Sequence, residues 1–111
     1  MLSKETCEAC RADAPKVSSA EQHALLESLH EDWRIHNEQG VDVLTREIKC
    51  KNFVGALDLA NKVGDIAEQA DHHPRIVVEW GKLTVSWWTH KIGGLHRNDF
   101  ILAARTDDLL V

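Results

Sequence analysis

The 111-residue chain has no apolar run approaching the ~20 residues that a bilayer-spanning helix needs, so no membrane association is expected. Its opening residues, Met1-Leu2-Ser3-Lys4-Glu5-Thr6, carry no apolar stretch, so no secretory signal is read there and a cytoplasmic location is expected. Basic residues are outnumbered, 13 Lys and Arg against 18 Asp and Glu, for a formal net charge of −5. A nucleic-acid binder needs a basic footprint, so nucleic acid is not an expected partner. Cysteine is scarce, and its count of three is odd, which argues for free thiols rather than a disulfide scaffold. Cys7-Glu8-Ala9-Cys10 is a lone CxxC without the second pair that a zinc shell of this type needs. It lies in a polar segment rather than between a strand and a helix, so no redox role is assigned to it. There is no HExxH motif, internal repeat or low-complexity tract.

What remains is one domain with a readable order of elements. Residues 1–17 lack periodicity and are expected to form a loosely ordered N-terminal extension, with residues 18–111 as a single domain. Ser18 and Glu21 have capping-box spacing and open a helix with Leu25, Leu26 and Leu29 on one stripe. Trp33 to His36 and Val41 to Lys49 read as strands around an Asn37–Gly40 turn, with Val41, Val43 and Thr45 on one face. Asn52 caps a second helix, in which Phe53, Ala56, Leu57, Ala60, Val63, Ala67 and Ala70 recur at helical spacing. Pro74 disfavours helical geometry at His73, so this helix ends near Ala70. Ile76–Trp80 and Leu83–Trp88 read as strands joined by a Gly81-Lys82 turn. Alternation puts Leu83, Val85 and Trp87 on one face, and Thr84, Ser86, Trp88 and His90 on the other if the strand runs that far. A last helix over about 96–107 turns Phe100, Ile101, Ala103 and Ala104 to the core. The order α-β-β-α-β-β-α implies an α+β fold, a four-stranded antiparallel sheet with helices on one face.

The chemistry concentrates between Glu68 and Asp99. His72 and His73 fall on the connection from the second helix to the third strand, and His90 follows the end of the fourth. Imidazole is the one side chain whose ordinary pKa lets it exchange protons near pH 7, so the grouping reads as an acid–base site. A three-histidine zinc site from His72, His73 and His90 is the competing arrangement, and it would need both adjacent rings turned inward. Trp87 belongs with the core by its alternation, whereas Trp88 shares the face of His90 and is the candidate pocket wall. Asp99 sits in the first turn of the last helix, where its charge suits the helix dipole, and it could also orient a histidine and fix its tautomer.

Glu68-x-x-x-His72-His73-Pro74, Trp80, Thr89-His90, Gly93-Gly94-Leu95 and Asp99-Phe100 together resemble the signature of the pterin-4a-carbinolamine dehydratases. The resemblance covers about residues 18–107, and at the position of His96 the family often carries Thr or Ser. It implies dehydration of 4a-hydroxytetrahydropterin, the by-product of aromatic amino acid hydroxylases, to quinonoid dihydropterin. It implies His72, His73 and His90 as catalytic, with Glu68 assisting. Pterin contacts are implied for His72, His73 and Pro74, and for Thr89, His90, Lys91 and Ile92, with Trp88 as a wall. Asp99 and Asp71 are implied as supports. It further implies no metal or coenzyme, the pterin being the substrate, and a homodimer or homotetramer. Some relatives also serve as a dimerisation cofactor of a transcription factor, so a non-enzymatic protein-binding module is the alternative.

Overall fold

Three helices and a four-stranded antiparallel sheet make up the computed structural model, which describes residues 2–5 and 15–110. Cys7 and Cys10 lie outside the described residues. Helix α1 spans Ser19–Glu27, strand β1 Arg34–Glu38, β2 Val41–Lys49, α2 Phe53–Ala70, β3 Arg75–Glu79, β4 Lys82–Trp87 and α3 Arg97–Asp108. The strands lie in the order β1-β2-β4-β3, so β4, last in sequence, is inserted between β2 and β3. Register pairs Leu44 with Trp87, Arg46 with Val85 and Ile48 with Leu83. Paired residues share a face, so these six line the side on which α2 and α3 pack. The opposite face carries His36, Glu38, Val43, Thr45, Arg75, Ser86 and Trp88, and no helix of the described residues covers it.

The capping expectations hold. The Ser18 hydroxyl accepts from the Glu21 amide at 3.2 Å, and the Asn52 side chain accepts from Gly55 N–H at 2.8 Å. Each satisfies an amide that the helix start leaves without a partner. Helix α2 is the long element over the sheet. Its buried stripe is centred on Ala56, Val63 and Ala67, and the two alanines let the helix axis come close to the sheet. Phe53 and Leu57, expected on that stripe, lie to one side of it and are 43% and 41% exposed. Helical spacing gathered them with the core residues, but a stripe of small residues is narrow, and larger neighbours fall outside it.

Several boundaries differ from the sequence-based expectation. Strand β1 runs Arg34–Glu38 rather than 33–36, and Trp33 precedes it as a core residue whose indole N–H donates to Asp107 Oδ1 at 2.7 Å. The β1–β2 turn is then Gln39-Gly40, both at positive φ (52° and 88°), which suits the right-handed twist of a two-residue hairpin. The β3–β4 loop is Trp80-Gly81, not Gly81-Lys82, because Glu79 pairs with Lys82. Glycine takes the second loop position at φ 78°, the one that requires it. Strand β4 stops at Trp87, so His90 is not on the strand but opens the 3₁₀ turn His90–Ile92.

Helix α3 is buried on nearly every side, Leu102 included, which the sequence reading left out of the core. The reason is a second layer. Leu2–Lys4, within the stretch expected to be a loosely ordered extension, forms a 3₁₀ turn with Leu2 buried against the core. Arg105 Nε donates to the Ser3 carbonyl at 3.0 Å, and Arg97 forms a two-bond ion pair with Glu5 at 2.7 and 2.8 Å. Val17 is buried as well, its N–H bonded to the Leu95 carbonyl at 2.9 Å.

Leu83 is fully buried where β4 meets the helices. Leu83→Ala should lower unfolding free energy by about 2–5 kcal/mol, the range for cavities in packed cores. Urea denaturation measures it, and a loss below about 1 kcal/mol would show that α2 does not pack there as described.

Candidate active site

The site begins where α2 ends. Asp71 adopts the left-handed conformation (φ 50°, ψ 43°). Its N–H bonds the Glu68 carbonyl at 3.2 Å, and His72 N–H bonds the Ala67 carbonyl at 3.1 Å. This pair of bonds is a Schellman turn, with aspartate in the slot usually held by glycine. The turn folds the backbone of His72 back over the last helical turn, and Pro74 then forces the chain out into β3.

The adjacent histidines consequently part. His72 turns inward, is 5% exposed, and stacks parallel to the Trp87 indole with centroids 6.0 Å apart. His72 Nε2 lies 2.6 Å from Asp99 Oδ1. A carboxylate can only accept, so Nε2 carries the proton and the Nε2–H tautomer is selected. His73 turns outward and pairs through Nε2 with Glu68 Oε2, both side chains being more than half exposed. Glu68, one helical turn back from the histidine pair, thus pairs with His73.

Asp99 is fully buried, and its second oxygen is also occupied. Oδ2 accepts from Thr89 Oγ1 at 2.8 Å and from the His96 amide at 2.9 Å. The latter closes a capping box at the start of α3, in which His96 Nδ1 in turn accepts from the Asn98 amide at 3.0 Å. His96 therefore caps α3, at the position where the resemblance implies Thr or Ser. One carboxylate so binds the end of α2, the end of β4 and the start of α3. Burying a charge is costly unless it is fully hydrogen-bonded, and here three donors satisfy it.

Thr89 and Gly94 close the next loop by an antiparallel bridge, Thr89 N–H to Gly94 O at 2.8 Å, with Gly93 left-handed at φ 60°. The Thr89 hydroxyl is thus turned inward to Asp99, while His90 is carried outward on the 3₁₀ turn. The His90 ring rests on Trp88 with centroids 4.6 Å apart and planes at 39°. Of the other implied pterin contacts, Pro74 and Ile92 are half-buried and Lys91 is exposed. Asp71 is exposed and acts through its backbone turn. Among the described residues no three His, Cys, Asp or Glu side chains gather as a metal shell.

Beyond Trp88 the open face of the sheet carries residues that the sequence reading did not single out. Arg75 makes two bonds to Glu38 at 2.9 and 2.7 Å, and its guanidinium carbon lies 5.2 Å from the Trp88 ring centre. The hydrogen bond from Arg75 holds the Glu38 carboxyl below its ordinary value, and Glu38 raises Arg75 in return. The signal lay in parity: Arg75 opens β3 on the face that Trp88 takes beyond β4. A depression lined by Glu38, Gln39, Val41, Val43 and Trp88, about 460 Å³ in volume, adjoins this cluster. A larger one of about 660 Å³, lined by Asp32, Arg34, Arg46, Lys49, Lys82 and others, includes none of the candidate residues.

The chain is similar to several known proteins. Residues 15–109 match the family model for pterin 4 alpha carbinolamine dehydratase. A protein from Marinobacter nauticus is 55% identical over 108 residues, 97% of this chain and 96% of its own length. One from Saccharophagus degradans is 52% identical over 108 residues, covering 97% and 95% respectively. Both bear the name "Putative pterin-4-alpha-carbinolamine dehydratase". A crystal structure of a transcriptional coactivator/pterin dehydratase from Brucella melitensis superposes with a TM-score of 0.76 at 24% identity, over 86% of this chain and 98% of that one. At that identity the likeness establishes the shared fold.

Asp99→Ala would strand the His72 ring, the Thr89 hydroxyl and the His96 amide without an acceptor. Each buried orphan costs about 1–3 kcal/mol, so the variant should lose about 3 kcal/mol or more in urea denaturation. A loss under about 1 kcal/mol would show that the carboxylate does not join these three elements.

Proposed function

The chain belongs to the pterin 4 alpha carbinolamine dehydratase family, and from that premise we propose that it removes water from 4a-hydroxytetrahydropterin by histidine acid–base catalysis. The observation that carries this reading is the Asp99 carboxylate, bonded to both His72 and Thr89. Each of those residues is followed directly by an outward-turned imidazole, His73 and His90. The clamp therefore fixes the backbone on which two accessible proton carriers stand.

Dehydration breaks the C4a–O bond and the N5–H bond and leaves a C4a–N5 double bond. One group protonates the departing hydroxyl so that it leaves as water, and another takes the N5 proton. His73 and His90 are exposed and fill these two roles, each contributing on the order of 10²–10⁴-fold. Glu68, bonded to His73 Nε2, orients that ring. His72, held by Asp99 and stacked on Trp87, shapes the floor beneath the pterin. Pro74, Lys91 and Ile92 lie on the same two connections and are assigned contacts with the bicyclic ring, with Trp88 as a side wall. The pterin is the substrate, and the reaction as written calls on no metal or coenzyme.

We carry the remaining expectations forward on the same basis. A homodimer or homotetramer is supported by Phe53, Val54 and Leu57, large apolar side chains left exposed on α2. A functional link to an aromatic amino acid hydroxylase follows from the proposed reaction, and a cytoplasmic location is kept as part of the same proposal. None of the described helices is long and apolar enough to cross a membrane. A protein-binding role of the coactivator kind, named for the Brucella melitensis protein, is the second reading, and the exposed side of α2 is the feature that favours it.

His73→Ala and His90→Ala should each lower kcat for dehydration of freshly formed 4a-hydroxytetrahydropterin by ~10²-fold or more, with circular dichroism unchanged. His72→Ala should lower both activity and stability, because it also removes a donor from Asp99. Near-wild-type turnover in the first two variants would defeat the assignment, and an inactive wild type with intact partner capture would favour the binding reading.

A further inference from the structure

Asp99 ties the two histidine-bearing connections together from the helix side of the sheet. A second tie crosses the open side. Arg75 directly follows Pro74, and Trp88 directly precedes Thr89. The Arg75 guanidinium lies over the Trp88 indole at 5.2 Å, and the Trp88 indole supports the His90 ring at 4.6 Å. Arg75 is itself fixed at its other end. Both Nη atoms bond the Glu38 carboxylate, which stands on β1 at the far edge of the sheet, and Nη2 reaches Ser86 Oγ at 3.5 Å. Ser86 continues to Thr45 at 2.9 Å and Thr45 to His36 at 2.9 Å, so the guanidinium is braced on all four strands.

We propose that Arg75 is a positioning residue of the dehydratase, holding the Trp88 indole so that the His90 imidazole stands at a fixed distance from the His73–Pro74 connection. The inference rests on the dehydratase reading and deepens it. As a surface ion pair, Arg75–Glu38 adds little to stability. Its geometry does more. A planar fork held by two bonds to one carboxylate has little freedom to rotate, and it presents a flat face to the indole. Trp88 is half-buried, with Arg75 stacked against its ring and His90 in contact with it. Without the guanidinium the indole gains room to swing over the depression lined by Val41 and Val43, and His90 follows it. A shift of about 1 Å in a catalytic group can cost on the order of 10²-fold in rate.

The test uses the full chain with Arg75→Met, which keeps the aliphatic stem, and Arg75→Lys, which keeps the charge but cannot make the two-bond fork. Lys82→Met is the control, since Lys82 pairs with Glu47 and Glu79 on the same sheet, away from Trp88. The tether predicts a fall in kcat of about 10-fold or more for Arg75→Met with KM little changed, partial recovery in Arg75→Lys, and no change in Lys82→Met. In a His90→Ala background Arg75→Met should have no further effect, because its influence passes through that ring. Independently of turnover, the imidazole proton signals of His90 in the NMR spectrum should move in Arg75→Met while those of His23 stay in place. An inactive wild type would overturn the dehydratase reading, and the NMR comparison would still judge the tether. Unmoved His90 signals, unchanged kcat in an active enzyme, an additive loss in the His90→Ala background, or an equal loss in Lys82→Met would each overturn it.

Discussion

A single buried carboxylate organises this molecule. Asp99 has no solvent exposure, and it accepts from an imidazole, a hydroxyl and a backbone amide drawn from three different elements. An apolar interior penalises such a group unless donors satisfy it, and here three do. Because the donors belong to the end of α2, the end of β4 and the start of α3, satisfying one charge also fixes three chain ends against each other. The helix cap, the tautomer of His72 and the course of the 89–94 loop are consequences of the same requirement. A site built this way gains precision from the packed helix layer instead of from the loops that carry its reactive groups.

The division of labour among the histidines follows. Adjacent residues in extended chain face opposite ways, and the Asp71 turn delivers His72 inward and His73 outward. The inward ring is held between Asp99 and Trp87, whereas the outward rings, His73 beside Glu68 and His90 on Trp88, are exposed. The sheet contributes on both sides. Its covered face supplies Trp87 beneath His72, and its open face supplies Trp88 beside His90 with Arg75 and Glu38 behind it.

Much of this was legible in the chain. Ser18 and Asn52 announced their helices because a cap is a local device, one side chain and one amide three residues on. The alternation of Leu83 to Trp88 separated Trp87 from Trp88 because strand parity needs no tertiary information. What stayed hidden was non-local. Nothing near Arg75 in sequence indicates Glu38, 37 residues away, as its partner. The burial of Leu102 depends on Leu2–Lys4 folding over α3. Gly81 suits either position of the β3–β4 loop, and only the Glu79–Lys82 pairing decides between them. Whether the strand reaches His90 is open in the sequence, and it does not: β4 ends three residues earlier, and Gly93 and the Thr89–Gly94 bridge turn the chain.

A structure of the protein with a bound dihydropterin analogue tests the central claim most directly. The account predicts the bicyclic ring over the His72–Trp87 floor, with one nitrogen of His73 and one of His90 within hydrogen-bond reach of N5 and of the position of the C4a oxygen. A pterin seated in the charged depression around Arg34 and Lys82, or one touched by neither His73 nor His90, would contradict it.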